Sequence, residues 1–487
     1  MLFNTIDFII FFIFVCTIFV IIKNRKFQHI FLVVVSYFFF YYSSNYLIIL
    51  LVFTTIWDFY FGKMIFSTSK LKQKKIILIL SLAGNLGLLG FFKYGDFTIT
   101  QINIIGNYFN LGTNIQLLNL ALPIAISFYT FHSITYTVSI YRGLMKPAES
   151  FIDYAIFVAF FPQLVAGPIL RATTFLPQLR EEIQTKFKNN LRQITIQNSN
   201  LRLGITMMSF GFLKKMFFAD NISTIADEVF RNPVGLDSFS IIIGTLAFGI
   251  QIYCDFSGYS DIAIGAALVL GFKLPLNFNK PYFATSPSDF WKRWHISLSS
   301  WLRDYLYISL GGNRKSRIRT SLNLMITMLL GGLWHGASWN FVLWGALHGV
   351  YLVFHKLIII KIKGNNSELK FPRYVKIFSI FMTQYLVFLA WIPFRAKNTS
   401  DMLYSVQKYV FLDFQYSDVT GILNSFKFPL FLIALFLVLS IITFKKREIL
   451  ERIARLKLPY WFLFLSSIIV LILFFYAGDE KFIYFKF

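Results

Sequence analysis

Cysteine and charge are both scarce in this chain. Its 487 residues hold two cysteines, Cys16 and Cys254, each in or beside an apolar run and far apart in sequence, so nothing suggests a disulfide framework or a metal motif. Only 14% of residues are charged while 56% are hydrophobic and 60 are Phe, a balance outside that of ordinary soluble domains. Nucleotide-binding glycine motifs are absent, as is a nucleophile elbow with Ser between glycines, which argues against an ATP-driven pump or a hydrolase of that kind. No internal repeat and no Pro-rich or Ser-rich linker divides the chain, so residues 1–487 read as one integral-membrane domain.

What is abundant is apolar sequence. Runs at Phe8 to Ile22, Ile30 to Phe40, Tyr46 to Phe61, Ile76 to Phe92, Ile377 to Phe394, Phe428 to Phe444 and Tyr460 to Ala477 recur along the whole length. Several approach the roughly 20 residues that a helix needs to cross a bilayer, and with shorter or interrupted pieces they predict about 11 to 13 membrane segments. The expected class is therefore an all-α polytopic membrane protein. The excess of 47 Lys and Arg over 23 Asp and Glu lies in short runs between apolar segments, where it reads as topology signal and as contact with anionic lipid, not as a nucleic-acid surface. Asp7 precedes the first run and Lys23, Arg25 and Lys26 follow it, which places the N-terminus outside; the cluster Lys63, Lys70, Lys72, Lys74 and Lys75 then falls inside again. The first run also lacks the basic start of a cleavable signal peptide and is expected to remain as a helix.

Two polar interruptions, Arg171 to Arg202 and Lys361 to Lys376, are net positive and expected to face the cytoplasm. Phe175, Leu176 and Leu179 in the first are spaced as in an amphipathic surface helix. From Gln251 to Phe354 the pattern changes, and Gly, Trp, His, Arg and Asp enter stretches that remain largely apolar. Such groups are costly in a membrane interior unless protein or a water-filled cavity surrounds them, so the active site is expected here.

Six histidines are candidates for chemistry: His29, His132, His295, His335, His348 and His355. His29 and His355 sit at segment ends beside basic residues, where interfacial solvation accounts for them. His348 lies in the run Phe341 to Phe354 and reads first as a packing residue. His335 stands between Trp334 and Trp339 among Gly331, Gly332, Gly336 and Ala337, where small residues permit close backbone approach. Desolvation there opposes the imidazolium, and a neutral imidazole can take a proton from a hydroxyl nucleophile. On the local pattern alone, a general base and a histidine that merely hydrogen-bonds across helices fit equally well.

A second group lies in Asp289 to Ser299. If this stretch is helical, Trp291, Trp294, His295 and Leu298 share one face, and Lys292, Arg293 and Arg303 can reach phosphates from another. An interfacial helix with its aromatic belt accounts for the same spacing. Asp304 is one residue from Arg303 and has a base elsewhere as its simplest partner. Asp58, Asn85, Asp255 and Asp261 are polar groups in apolar surroundings that read as helix glue ahead of a substrate path.

These stretches together resemble a known family. WHGASWNFVLWGALHG around His335 and FWKRWHISLSSWLRDYLYISLGGNR around His295 look like the membrane-bound O-acyltransferase superfamily. The likeness is to its bacterial branch, which includes the membrane subunit of alginate O-acetylation, its peptidoglycan counterparts and the D-alanyl transfer protein of teichoic acids. LPIAISFYTFHSITY, FFPQLVAGPILR, GFLKKMFFADN, CDFSGYSDIAIG and the terminal FIYFKF extend the resemblance over nearly the whole chain. The branch usually has Gln and then Asp where this chain has His132 and Ser139, so a charge is missing from that helix.

The resemblance implies helices around a central funnel open to the cytoplasm, in a bacterial inner membrane, with His335 as the catalytic histidine and His295 as the second motif histidine. It implies a co-substrate, acetyl-CoA or an acyl carrier, and no bound cofactor or metal. The donor's phosphates would meet Lys292, Arg293 or the loop Arg314 to Arg319, with Trp334, Trp291, Arg303, Asp304 and Asn340 as further binding candidates. A polysaccharide outside, reached through a periplasmic acetyltransferase partner, would be the final acceptor. D-alanyl transfer from a carrier protein, a transporter that passes intact polysaccharide or lipid, and a catalytically silent scaffold are the competing readings.

Overall fold

Capping side chains set where the apolar segments begin as helices. In the computed structural model, which describes every residue except 124, 165–166, 182–189, 364–371, 414–415, 445–447, 477, 479–481 and 484–487, the Thr5 hydroxyl accepts the Phe8 N–H ahead of Ile6–Ile21. Asn24 accepts from Lys26 and Phe27 ahead of Arg25–Ser44, Ser316 caps Arg317–His335 and Asn398 caps Thr399–Val410. Each supplies an acceptor to N–H groups that the first turn leaves without a helical partner.

Five stretches are long and apolar enough to cross a membrane: Arg25–Ser67, Leu71–Tyr108, Ser238–Val269, Trp339–Ile358 and Arg373–Arg395. Ile6–Ile21, Phe151–Leu164, Lys427–Thr443 and Leu458–Phe474 are apolar but shorter, and the count expected from sequence includes such pieces. Among the described residues the one strand pairing is a two-residue ladder that sets Arg180 opposite Leu191. The helical class agrees with the sequence.

The chain divides into two compact units. The first comprises Met1–Ile205 and Ile262–Pro275. Its buried Asp58 accepts from Ser81 at 2.7 Å and from Asn85 at 2.8 and 2.9 Å, which ties two apolar helices and makes Asp58 and Asn85 a packing pair. Gln28 exchanges hydrogen bonds with the backbone of Ile194 at 2.8 and 2.9 Å, and the neighbouring His29 lies 2.9 Å from the Arg192 carbonyl. His29 is thus buried in protein, not solvated at an interface, because that carbonyl gives its ring a polar partner. Phe175 and Leu179, expected on a surface helix, are fully buried; Phe175 meets Phe160 at 5.1 Å and Phe272 at 5.5 Å. Pro177 cannot continue an α-helix, so the segment is two short turns, Ala172–Phe175 and Leu176–Leu179. Residues 182–189 of that interruption and residues 364–371 of the second lie outside the described residues.

The second unit comprises Thr206–Asp261 and Leu276–Phe487. Its centre is a hairpin of Arg317–His335 and Trp339–Lys363, whose backbones meet where side chains are missing. A Cβ on Gly332 would lie 2.2 Å from the Phe341 carbonyl oxygen, and one on Gly345 would lie 2.3 Å from that of Met328. Close approach is what these glycines permit. A π-helical turn at Leu213–Ala219 then presents adjacent lysines to different carboxylates. Lys214 pairs with Asp261 at 2.5 Å, and buried Lys215 bridges Asp220 at 2.6 Å and Asp255 at 2.8 Å. Asp255 also accepts the Ile483 N–H at 2.7 Å. Both acidic residues of the CDFSGYSD stretch therefore act as glue within this unit. Cys16 and Cys254, in different units, are unbonded.

Candidate active site

The hairpin delivers His335 to the last position of its first helix, with Gly336 extended immediately after it. Gly336 accommodates the Phe341 ring, which a Cβ would meet at 2.3 Å. Around the buried imidazole stand Trp334 at 5.0 Å, Trp344 at 4.9 Å and Phe394 at 5.2 Å between ring centres. Trp344 lies equally close to a second histidine on its other side, His348 at 4.8 Å. His348 in turn contacts Trp291 at 5.1 Å, Phe290 at 5.9 Å and Tyr351 at 5.8 Å. One tryptophan thus separates two fully buried imidazoles. Sequence reading gave His348 a packing role; it does pack, but within the cluster that holds His335.

His295 reaches the same cluster by a different local route. The stretch from Asp289 is not one helix: Pro287–Trp291 ends, and Ile296–Trp301 begins after His295, whose backbone is left-handed at φ 42°. The expected shared helical face therefore does not form. A non-glycine residue at positive φ persists only where its surroundings hold it there. Here Asn277 does so: its carbonyl accepts the Ile296 N–H at 2.9 Å, its side-chain oxygen accepts the Ser297 hydroxyl at 2.6 Å, and its amide donates to Ser260 at 3.1 Å. The bend turns the His295 ring edge-on to Phe256 at 4.6 Å and to within 6.1 Å of Trp334, the neighbour of His335.

His295 also caps its own helix, its Nδ1 accepting the Leu298 N–H at 3.4 Å. That bond assigns the proton to Nε2, which has no hydrogen-bond partner among the described residues. The residue lies outside the long apolar helices, and complete burial pushes its imidazole from the ordinary 6.5 down to about 3. Burial thus holds His295 as a neutral imidazole.

The remaining candidates are spread around this centre. Trp334 and Trp291 form its walls. Lys292 is exposed; Arg293 is paired with Asp289 at 2.8 Å and Arg303 with Asp304 at 2.7 Å, so the partner of Asp304 is its sequence neighbour. Arg314 to Arg319 is exposed at the start of the hairpin, far along the helix from His335. Asn340 is buried and donates to the Ala396 carbonyl at 2.9 Å, tying the hairpin to the end of Arg373–Arg395. Beyond Gly336 opens a cavity of about 710 Å³ whose lining includes Ser338, Asn340, Phe394, Arg231, Arg395 and Lys397. Among the described residues no three His, Cys, Asp or Glu side chains converge as metal ligands.

Sequence reasoning missed the Lys215 bridge, the anchoring of Ile483 on Asp255, and Phe394 and Trp344 as site walls. The motifs GFLKKMFFADN and CDFSGYSDIAIG contain the ionic partners, but only the π turn determines which lysine meets which aspartate.

In this helical protein the two motif histidines, His295 and His335, thus flank one ring, Trp334, among indole and phenyl walls. The chain belongs to the membrane-bound O-acyltransferase family, whose profile matches residues 144–391. It is 42% identical over 347 residues to the probable alginate O-acetylase AlgI of Pseudomonas aeruginosa, covering 71% of this chain and 62% of that protein. It is 36% identical over 406 residues to the peptidoglycan O-acetyltransferase of Helicobacter pylori, covering 78% and 73%. The teichoic acid D-alanyltransferase of Streptococcus thermophilus is 28% identical over 290 residues, covering 56% and 68%. The chain therefore spans less than two thirds of the length of the first of these relatives.

Proposed function

We propose that this protein is an O-acyltransferase that moves an acyl group, acetyl in the first instance, from a cytoplasmic thioester across the inner membrane toward a cell-envelope polysaccharide. The observation that carries the reading is the joining of His335 and His295 through Trp334 in one water-shielded cluster, in a chain whose acetylating relatives are the more similar ones. Acetyl-CoA, with its phosphates at Lys292 and the Arg314–Arg319 loop, enters from the basic end of the hairpin, and His335 stands at the other.

In this reading a hydroxyl oxygen attacks the thioester carbonyl carbon while His335 takes its proton. The C–S bond then breaks, and the proton returns from His335 to the departing thiolate. His295 orients the carbonyl through its Nε2–H, a donor that suits the oxygen on which negative charge develops. Full proton transfer from a neutral imidazole would leave an imidazolate, so an orienting role fits a neutral His295 better than an acid role. Acceptance of the acyl group on His335 itself is the alternative first step.

The test is release of CoA and transfer of labelled acetyl by purified protein in lipid nanodiscs. His335→Ala is expected to lose at least 10²-fold, the typical scale of general base catalysis. Undiminished transfer by that variant would overturn the mechanism, and a wild-type protein that never releases CoA from acetyl-CoA would favour a carrier-protein donor or a transporter.

A further inference from the structure

The cavity beyond Gly336 borders the aromatic cluster through Phe394 but differs from it in chemistry. Its lining carries Arg231, Arg395 and Lys397 against one carboxylate, Asp227, which Arg395 already holds at 2.6 Å, while Arg231 has an exposed partner outside the lining, Glu228 at 3.3 Å. Gln251, Ser338 and Asn340 add neutral hydrogen-bonding groups. A net cationic, hydrogen-bonding cavity of about 710 Å³ is larger than a phosphate or a glycerophosphate head group fills, and it lies in the size range of sites for whole small molecules. It stands at the end of the hairpin remote from the basic Arg314–Arg319 loop, hence on the outer side if that loop is inside.

Asn340 lines a second depression as well. That groove, of about 310 Å³, is lined by Trp339, Val342, Leu343, Ala346, Thr399 and Met402, and apart from Asn340 and the Thr399 hydroxyl it offers only apolar side chains. Trp339 is 60% exposed at its rim, the position of an interfacial anchor. Below it the exposed apolar residues Leu343, Val350, Phe354 and Leu357 continue as a stripe down the same helix. A cationic polar cavity that shares Asn340 with an apolar surface groove is complementary to an amphiphile with an anionic, hydroxyl-bearing head.

We infer that the acceptor binds here as an anionic glycolipid, a saccharide joined through phosphate to a lipid chain. Its sugar occupies the cavity beside Ser338 and Gln251, its phosphate meets Arg231 and Lys397, and its chain lies in the groove under Trp339. Arg–phosphate contacts are charge-assisted, and the chain's burial is nonspecific, so the two halves contribute independently. The inference rests on the acyltransferase reading, because it supplies the hydroxyl that His335 deprotonates. It places the acceptor on the side of His335 opposite the thioester, with no need for the polymer itself to enter the membrane.

The experiment measures binding to the full-length, delipidated protein by native mass spectrometry, with no thioester present. Four probes are compared: a polyprenyl-phosphate-linked hexose, the same hexose phosphate without lipid, the polyprenyl phosphate without sugar, and phosphatidylglycerol. The conjugate is expected to bind at least tenfold more tightly than any of the other three. Arg231→Gln with Lys397→Gln should weaken it about tenfold through the head, and Ala346→Leu should do so through the groove, with melting temperature checked for each variant. Equal binding of phosphatidylglycerol would make this an ordinary lipid site and overturn the inference. Equal binding of the free hexose phosphate would remove the groove from it, and insensitivity to both sets of substitutions would also overturn it. Because binding is read without acetyl-CoA, failure here beside normal CoA release would sink the glycolipid alone, whereas specific binding beside absent CoA release would sink the transfer reading.

Discussion

Gly332→Ala tests whether the hairpin's close approach is what sets the position of His335. A Cβ at this site would lie 2.2 Å from the Phe341 carbonyl oxygen, a backbone atom with no rotamer to escape into, and 3.1 Å from the Gly345 backbone. Restoring an ordinary 3.4 Å contact requires the two helices to part by about 1 Å, the difference between those distances. Overpacking of this kind costs about 1–3 kcal/mol of stability. Its larger effect falls on catalysis, since a misplacement of about 1 Å in a reacting geometry can cost on the order of 10²-fold in rate. His335 is three residues from Gly332 on the same rigid helix, while Trp344 and His348 ride on the partner helix. CoA release by the purified variant is expected to fall about 10²-fold by this argument, with the protein still folded as judged by its melting transition. Gly345→Ala, at 2.3 Å from the Met328 carbonyl, should behave alike. Gly87→Ala, in the Leu71–Tyr108 helix with nothing within 4 Å of its Cβ, is the control and should lose nothing. Wild-type turnover by Gly332→Ala would refute the claim that helix separation positions the site.

Lys215→Met removes the cation that Asp220 and Asp255 share in the interior, and breaking such a buried arrangement costs about 3–5 kcal/mol. A lowered melting temperature that is partly restored by adding Asp220→Asn and Asp255→Asn is expected, whereas an unchanged transition would show the bridge to be energetically idle. His295 gives a pH dependence of defined sign. Its folded pKa of about 3 lies below the ordinary 6.5, so below about pH 6.5 protons favour the unfolded chain increasingly until about pH 3. Wild type should therefore lose melting temperature faster than His295→Gln as pH falls through that window, and parallel declines would contradict the burial. Asn398→Ala removes the cap on Thr399–Val410, in which the side chain accepts the Asp401 N–H at 2.8 Å. A cost of about 1 kcal/mol, read as faster amide exchange in the first turn, is expected, and unaltered exchange would show that cap to be idle.

The readable parts of this molecule were those in which a residue's environment is fixed by its neighbours in sequence. Apolar runs state helices directly, and the small residues around His335 state a close crossing, which Gly332 and Gly345 bear out. The Asp289–Ser299 stretch misled because periodicity assumes a continuous helix, and the bend at His295 is held by Asn277 from outside the segment. Phe175, Leu176 and Leu179 misled for a related reason: amphipathic spacing says that one face is buried, not whether lipid or protein covers it. His348 read first as a packing residue because its place beside His335 comes from Trp344, whose ring contacts both, a relation set by helix rotation and not by spacing.

The placement of charge in the second unit follows from the same physics that makes the histidine cluster useful. Among the described residues, the more buried cations there pair with carboxylates: Lys214 with Asp261, Lys215 with Asp220 and Asp255, Arg293 with Asp289, and Arg395 with Asp227. Around His335 and His348 the ring contacts are instead with Trp334, Trp344, Trp291, Phe290 and Phe394. A carboxylate among those rings would hold a proton on the imidazole and remove the base, while a cation would repel the proton it must accept. Indole and phenyl walls do neither, and under the proposed mechanism they would exclude the water that competes with a hydroxyl for the acyl carbon. The ion pairs thus fasten helices at positions away from these ring contacts, which leaves the imidazoles among apolar walls.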